Sequence, residues 1–407
     1  MKVLLFAKER NLKNAGGPSG YLFNISEYLN KYPNENIEFI NERKLKRTIW
    51  GSFIYYSYQI IRRTIKFSNK ALTLLDLFYI DFCHEYFTQD TIDYFNSFDY
   101  IHIHSAALCI NTFYHNKTTA KIVITSHSPE PFSDEFIAKI GIGNIICKYP
   151  SIRDYLLKKE IASYDFCDRI MFPVPQAREP YMQASMLFKE SFKKNEFKFF
   201  YVPTALSSVE MVTGNGNYLA NDSKDEDIFK VCYIGRHNSI KGYDTLKKAA
   251  SNIWSIDSNV YFYIAGKEEP LKGHQDIRWK ELGWVNTPLL LNEIDVFVLP
   301  NKQTYFDLIL LEVLRQGTPV VLTRTGGNKW FEQYELPGLF FYEYGDSSAM
   351  VEQILKVKSL KENGCLEKIK EANRSFLKEK FNMPLYFESY LDQLYHIKEH
   401  DNENNNS

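Results

Sequence analysis

The chain has 407 residues, more than a single hydrophobic core usually supports, so we expect two domains. Hydrophobic residues make up 44% and charged residues 24% of the sequence, an ordinary globular composition that excludes wholesale disorder. The formal net charge of -1 excludes a chain-wide basic surface of the kind that binds nucleic acid, so any site for a polyanion must be local.

The six cysteines are scattered, with neither a C-x-x-C pair nor histidines at zinc-ligand spacing, so we expect reduced thiols. The apolar run at residues 3–7 is too short for a signal peptide, and charged residues follow it at once. The sequence has no uninterrupted apolar stretch of about 18 residues, the minimum for a transmembrane helix. We therefore expect a cytoplasmic protein.

Short apolar runs alternate along the chain with longer amphipathic segments, a pattern typical of β-α-β units and parallel sheets. The predicted strands are residues 3–7, 100–104, 121–125, 169–173, 199–202, 230–234, 260–265, 296–299 and 319–323. Predicted helices between them include residues 21–29 and 310–316. The predicted fold class is therefore α/β.

A stretch rich in Ser, Asn, Asp and Gly separates two α/β halves. We expect an N-terminal domain at 1–205, a linker at 206–228 and a C-terminal domain at 229–385. Residues 386–398 are expected to form a C-terminal helix that can return to the N-terminal domain. Residues 399–407 lack apolar side chains and are expected to be a disordered tail.

The first candidate site follows the strand that opens the C-terminal half. Gly235 permits a tight turn, and Arg236 and Lys241 then bring two cations to the carboxyl edge of the predicted sheet. An arginine fork and a lysine point charge together suit a diphosphate without any metal ion. The alternative is a pair of solvated surface cations near a turn.

The second candidate site follows the predicted strand 296–299. There a loop through Phe306, Asp307 and Leu308 passes into a helix, whose free N–H groups and positive dipole end suit phosphate. Glu312 lies further along that helix among leucines, where an unpaired carboxylate is costly. It can accept hydrogen bonds from ribose hydroxyls, and the alternative is a solvated helix charge.

These two stretches together resemble the retaining GT-B glycosyltransferases of family four, or glycosyl transferases group 1, of the bacterial surface-polysaccharide type. The resemblance implies two Rossmann-like domains whose parallel sheets face each other across a cleft. It also implies that Arg236 and Lys241 bind the donor diphosphate and that Glu312 binds the nucleotide ribose. Two positions depart from the family pattern: Thr304 stands where a first Glu lies near the donor sugar, and Asp307 stands where Gly is common.

The N-terminal half has further motifs of this family. Gly16 and Gly17 resemble its glycine loop beside the donor phosphates. His127 follows an apolar strand, as the family histidine that faces the donor sugar does. A neutral imidazole there can hydrogen-bond a sugar hydroxyl, so His127 is the candidate catalytic residue. For His102 and His104 we expect structural roles, because alternate positions of a buried strand are more often structural.

No metal ion or cofactor is expected. Asp225 and Asp227 form a D-x-D pattern like that of metal-dependent glycosyltransferases, but they lie in the polar linker and are interpreted as solvated charge. The expected substrate is a nucleotide diphosphate sugar, with a UDP-sugar as the expected donor.

Residues 43–70 form a basic aromatic segment without any acidic residue. The cations are Arg43, Lys44, Lys46, Arg47, Arg62, Arg63, Lys66 and Lys70. Cations interleaved with Trp and Tyr suit an interfacial helix on an anionic membrane surface. An ordinary amphipathic helix packed on its domain is an equal alternative, and a nucleic-acid patch ranks below both.

We therefore predict a retaining, metal-independent glycosyltransferase of the hexosyltransferase type. Its acceptor is expected to be a glycan or lipid-linked glycan in the synthesis of capsule or another bacterial surface polysaccharide. A peripheral location of the protein at the inner face of the cell membrane fits this acceptor. The departures at Thr304 and Asp307 keep a non-catalytic GT-B subunit or binding protein open. A GT-B sugar-nucleotide epimerase is the other alternative.

Overall fold

The computed structural model describes residues 1–7, 17–65, 75, 84–106, 109–140, 150–214, 216, 218–219 and 228–406. Gly16, Asp225, Asp227, Lys66 and Lys70 lie outside these ranges. The chain divides into two compact units, Met1–Val202 with Ser389–Ser407, and Pro203–Glu388. The division falls close to the predicted boundary after residue 205.

The first unit is built on a six-stranded sheet of order β2-β1-β3-β4-β5-β6, in which neighbouring strands are parallel. Its strands are β1 (Val3–Ala7), β2 (Ile37–Asn41), β3 (Tyr100–Ile103), β4 (Lys121–Thr125), β5 (Arg169–Phe172) and β6 (Phe199–Tyr201). The central strands β1 and β3 are buried along their whole length. Continuous apolar runs of this kind are typical of parallel strands that are covered on both faces.

The helices of the first unit connect these strands. They are α1 (Pro18–Lys31), α2 (Ile49–Thr64), α3 (Gln89–Asn96), α4 (Cys109–Phe113), α5 (Phe132–Ile140), α6 (Pro150–Phe166), α7 (Glu179–Ala184) and α8 (Met186–Lys194). Short 3-10 helices lie at Glu42–Lys44, Pro175–Arg178 and Glu196–Lys198. The Thr48 side chain accepts a hydrogen bond from the backbone N–H of Gly51, which caps the start of α2.

The second unit is built on another six-stranded parallel sheet, of order β12-β11-β10-β7-β8-β9. Its strands are β7 (Phe229–Ile234), β8 (Val260–Ala265), β9 (Trp279–Gly283), β10 (Val296–Leu299), β11 (Val320–Thr323) and β12 (Leu339–Tyr342). The order reverses between β7 and β10, which are neighbours. In open α/β sheets ligands bind at the carboxyl ends of the strands at such a switch point.

Helices and a buried apolar core surround this second sheet. The helices are α9 (Tyr243–Trp254), α10 (Thr287–Leu291), α11 (Leu308–Gln316), α12 (Ser347–Glu362) and α13 (Leu366–Lys380), with a 3-10 helix at Gly326–Tyr334. The core packs one side of α9 and α12 against β7, β8 and β10. Helix α14 (Met383–Asn406) begins in the second unit and continues into the first.

All the predicted strands and both named helices are present, with ends that differ by at most a few residues. The predictions did not include β2, β9 and β12, each of which lies at an edge of its sheet. Strands β2 and β9 are only partly buried. Their exposed positions hold polar residues, which interrupt the apolar run by which a strand is recognised in the sequence.

The C-terminal end of the chain differs from the prediction of a disordered tail at 399–407. Helix α14 starts at Met383 and continues to Asn406. Extending an existing helix adds one hydrogen bond for each residue fixed, so a polar segment can follow an apolar one into the same helix. No helix of the described ranges is both long and apolar enough to cross a membrane.

One glycine allows the loops after β7 and β10 to pack backbone against backbone. Gly242 has a φ of 68°, in the left-handed region that other residues rarely adopt. A Cβ atom at this position would lie 1.8 Å from the carbonyl oxygen of Pro300, directly after β10. The position therefore requires glycine for both its backbone angle and its contact.

We expect Gly242→Ala to destabilise the protein more than Gly364→Ala. Gly364 also has a φ of 68°, but a Cβ there would meet nothing within 4 Å. Gly364→Ala should cost the backbone strain alone, roughly 1–2 kcal/mol. Gly242→Ala should cost about 2 kcal/mol more, because it also overpacks a close contact.

Urea unfolding of the two variants and the wild-type protein measures this difference. Equal losses in the two variants would mean that the two loops are not in close contact.

Candidate functional site

The loops after β7 and β10 meet at the carboxyl edge of the second sheet. The backbone N–H of Lys302 donates to the carbonyl oxygen of Ile240 at 2.8 Å, which joins the two loops directly. The Thr323 hydroxyl, at the end of β11, donates to the carbonyl oxygen of Asn301 at 2.7 Å. Three neighbouring strands thus hold these loops in place.

Arg236 lies in the turn that follows β7. The Tyr233 hydroxyl donates to the Arg236 carbonyl oxygen at 2.7 Å, which fixes the backbone of the turn. The Arg236 side chain is exposed and makes no ion pair with any residue that the structure describes. It is therefore available to an anion.

Lys241 is instead paired within the site. Its Nζ donates to Asp307 Oδ1 at 2.9 Å, and both side chains are mostly buried. The other carboxylate oxygen of Asp307 accepts a hydrogen bond from the Asn301 amide. The structure thus brings the predicted Lys241 and Asp307 into direct contact, and without ligand the Lys241 charge is neutralised by a neighbouring carboxylate.

The N-terminus of α11 lies in the same loop cluster. Asp307 is the N-cap residue, but its side chain does not cap the helix. The N–H groups of Leu308 and Ile309 have no hydrogen-bond acceptor among the described residues, and Phe306 and Leu308 bury their side chains. Free N–H groups at the positive end of a helix dipole suit a phosphate group.

Glu312 lies one turn into α11 and is partly buried. Burial raises the pKa of its carboxyl group above the ordinary value, and the nearby Arg315 opposes that shift. Within the described part of the chain, no group donates a hydrogen bond to this carboxylate. An ionised side chain in such surroundings is energetically costly unless a ligand supplies a donor.

Thr304 is fully buried, and its hydroxyl has no hydrogen-bond partner among the described residues. Its carbonyl oxygen accepts from the Gly327 N–H at 3.3 Å, and a Cβ at Gly326 would lie 2.1 Å from it. Thr304 therefore anchors the glycine pair after β11 through its backbone. The predicted contact of its side chain with a donor sugar stays a prediction.

In the first unit, His127 follows β4 and contacts a second histidine. Its Nε2 lies 3.0 Å from Nδ1 of His104, and its ring packs against the Tyr21 ring at a centroid distance of 4.6 Å. Burial lowers the pKa of His127 to about 3. The imidazole is therefore neutral at physiological pH and acts as a hydrogen-bonding group.

His102 has the structural role that was expected. Its Nε2 lies 2.7 Å from the Thr125 hydroxyl, which itself donates to the Met171 carbonyl oxygen. Nε2 therefore carries the proton, and Nδ1 accepts from the Tyr390 hydroxyl at 2.9 Å. Burial, and then the proximity of the His127 ring, lower the pKa of His102. The neutral ring ties β3 to β4 and α14.

The remaining predicted residues are only partly described. Gly17 is the N-cap residue of α1, with a φ of 79°, while Gly16 lies outside the described residues. Asp225 and Asp227 also lie outside them. Where the structure is described, no group of three or more His, Cys, Asp or Glu residues could hold a metal ion.

Comparison with known proteins finds a family match within the second unit. Residues 228–359 match the family described as Glycosyl transferases group 1. Over 195 residues the chain is 27% identical to the lipopolysaccharide core biosynthesis glycosyltransferase LpsE of Rhizobium meliloti (strain 1021). That match covers 45% of this chain and 55% of the relative, so the chain spans about half the length of the curated relative that it matches.

The chain as a whole resembles solved structures that it covers almost completely. Its fold resembles sucrose-phosphate synthase from Thermosynechococcus elongatus, with a TM-score of 0.61, 14% identity and coverage of 97% of this chain and 98% of that one. It also resembles HepE of Anabaena in complex with UDP, with a TM-score of 0.58, 13% identity and coverage of 97% and 100%. The two Rossmann-like units have the GT-B fold.

Sequence reasoning missed three residues that position predicted site residues. Asn301 holds Asp307, Tyr233 holds the turn at Arg236, and Tyr21 packs on His127. A signal existed for Asn301, because it is a polar residue close to the end of a buried strand. The two tyrosines could not be told from core residues.

We expect Glu312→Gln to stabilise the protein at neutral and alkaline pH. Because the folded-state pKa of this carboxyl is raised, ionisation costs stability above that pKa, and the cost disappears below the unfolded pKa of about 4.3. Differential scanning calorimetry should therefore show a rise in Tm of about 2 °C near pH 8. The gain should shrink steadily as the pH falls toward about 4.

Glu352→Gln provides the control, because Glu352 is an exposed residue of α12. It should change Tm little at any pH. A lower Tm for Glu312→Gln near neutral pH would show that the ionised carboxylate is already satisfied within the protein.

Proposed function

We propose that this protein is a glycosyltransferase that moves a sugar from a nucleotide diphosphate donor, with a UDP-sugar as the expected donor. The observation that carries the proposal is the set of groups at the switch point of a group 1 domain. An exposed guanidinium at Arg236, uncapped N–H groups at the start of α11, and the half-buried carboxylate of Glu312 lie on the adjacent β7 and β10 connections. These groups match a diphosphate and a ribose in chemistry.

The comparisons support this assignment. The matched structure of Anabaena HepE was solved with UDP and also with UDP-glucose. The relative LpsE is a glycosyltransferase of lipopolysaccharide core biosynthesis. We therefore propose a glycan or lipid-linked glycan acceptor, in bacterial surface polysaccharide synthesis.

The proposed mechanism is metal-independent and retains the anomeric configuration. Arg236 and Lys241 stabilise the negative charge that develops on the leaving diphosphate. The leaving phosphate itself takes the proton of the acceptor hydroxyl, so no side chain acts as general base. His127, held neutral by burial, contributes a hydrogen bond to the sugar rather than a proton.

Arg236→Ala should weaken binding of the nucleotide diphosphate by about 1.5–3 kcal/mol, the range for hydrogen bonds to a charged group. Lys241→Ala should also weaken binding, since the proposed complex needs both cations. Isothermal titration calorimetry with UDP and UDP-glucose measures both effects.

The titrations are done in EDTA, because the proposed site needs no metal ion. Lys248→Ala, which removes an exposed cation of α9, is the control and should leave affinity unchanged. Unchanged affinity in both site variants would contradict the assignment of the diphosphate site. Binding of the nucleotide sugar without sugar transfer to any glycan acceptor would favour the non-catalytic alternative.

We further propose that helix α2 contacts an anionic membrane surface. Its side chains at positions i, i+4, i+7 and i+11 form one exposed apolar stripe, in which Ile49 is 93% exposed and Phe53, Tyr56 and Ile60 are each 62% exposed. Trp50, also exposed, stacks on Phe53 at 5.7 Å. This exposed stripe favours an interfacial helix over the alternative of a helix packed on its own domain.

The basic end of α2 determines which surface the stripe fits. Arg62 and Arg63 are exposed in its last turn. A helix with an exposed aromatic stripe and adjacent cations fits a bilayer that contains anionic lipid. Such contact would place the protein at the inner face of the cell membrane, next to a lipid-linked acceptor.

Replacing Arg62 and Arg63 with Gln should lower affinity for anionic vesicles by roughly 1 kcal/mol per charge. Sedimentation with vesicles of phosphatidylcholine and phosphatidylglycerol measures this. Binding should also fall as salt rises, since the Debye length shrinks from about 8 Å at physiological ionic strength to about 3 Å at 1 M.

The control is Lys193→Gln with Lys194→Gln, which removes two cations from the last turn of α8 in the same unit. It should leave vesicle binding unchanged. If the wild-type protein does not sediment with anionic vesicles even at low salt, the exposed stripe of α2 is a surface for another macromolecule.

A further inference from the structure

Asp307 holds an unusual position for an N-cap residue. An N-cap Asp ordinarily accepts a hydrogen bond from the backbone N–H of the second or third helical residue. Asp307 makes no such bond, because one carboxylate oxygen accepts from Lys241 at 2.9 Å and the other from Asn301. Its charge is directed to the cation and away from the helix.

The neighbours of Asp307 keep it there. Asn301 is fully buried, and its carbonyl oxygen is held by the Thr323 hydroxyl. The side chains of Lys241 and Asp307 are 17% and 18% exposed, so water screens their interaction only partly. The site therefore keeps a fixed negative charge beside Lys241, one of the two cations proposed to bind the diphosphate.

Donor and product differ in charge at the terminal phosphate of the diphosphate. In a nucleotide sugar the terminal phosphate is esterified and carries one negative charge. In the released nucleoside diphosphate it is free, and a second ionisation with a pKa of about 6 adds nearly one more charge at neutral pH. A fixed carboxylate next to the phosphate therefore repels the product more than the donor.

We propose that Asp307 is a specificity-determining residue that biases the diphosphate site toward the sugar-bearing donor and against the nucleoside diphosphate product. This inference rests on the proposed function. Arg236 remains unpaired in the described structure, so the site keeps enough positive charge to bind a donor. Because Asp307 neutralises Lys241, the site lacks the additional positive charge that would bind the product tightly. In the proposed metal-independent mechanism, this repulsion favours release of the product.

The test is the ratio of product affinity to donor affinity in Asp307→Asn. Kd values are measured by titration calorimetry for the pairs UDP and UDP-glucose, GDP and GDP-mannose, ADP and ADP-glucose, and dTDP and dTDP-glucose. For the pair that the wild-type protein binds best, Asp307→Asn should tighten diphosphate binding about tenfold and sugar-nucleotide binding at most about threefold. A merely structural role would move both affinities by the same factor.

Asp257→Asn is a closely matched control. Asp257 precedes β8, at the amino ends of the strands of the same sheet. It forms an ion pair with Lys358 that is buried to a similar extent, with side chains 22% and 17% exposed. This variant should leave the ratio unchanged. Asp307→Ser, which keeps an N-cap side chain, replaces Asp307→Asn if that variant folds poorly, and it should shift the ratio in the same direction.

The outcomes separate the two proposals. If the wild-type protein binds none of the four pairs, the proposed function fails and this inference fails with it. If it binds a pair but the ratio is unchanged, or diphosphate binding weakens, the function stands and the role of Asp307 is overturned.

Discussion

The close approach of two backbone loops is the constraint on which the candidate site depends. Strands β7 and β10 are parallel neighbours although they are far apart in sequence, so the segments that follow them leave the sheet side by side. Gly242 against Pro300 and the hydrogen bond from Lys302 to Ile240 fix their separation. Lys241, Asp307 and the start of α11 are thereby brought together on the connections that also carry Arg236, where we propose that a diphosphate binds.

At the candidate site, two features lack the partners that such groups usually have inside a protein. The first N–H groups of α11 are uncapped, and the Glu312 carboxyl lies in partly buried surroundings that raise its pKa. Features of this kind cost stability and are common at functional sites, where binding compensates for them. His102 of the first unit contrasts with these groups, because both of its ring nitrogens have hydrogen-bond partners inside the protein.

Much of the fold could be predicted from the sequence, because central parallel strands are apolar along their whole length and are bounded by turn residues. Edge strands such as β2 and β9 could not, since partial exposure mixes their residue types. The places of Arg236, Lys241 and Glu312 in the fold could be predicted, because the first two lie between a buried strand and the next helix and Glu312 lies in the helix after another buried strand. The pairing of Lys241 with Asp307 could not, because it joins residues 66 positions apart through side-chain rotamers that only the folded loops determine.

The proposed function requires the second unit to bind a nucleotide diphosphate sugar at the switch point of its sheet. A crystal structure of the protein grown with UDP-glucose tests this most directly. We expect the diphosphate to lie within hydrogen-bonding distance of the Arg236 guanidinium and the first N–H groups of α11, and the ribose hydroxyls to contact Glu312. A nucleotide bound elsewhere, or bound with its ribose away from Glu312, would contradict it.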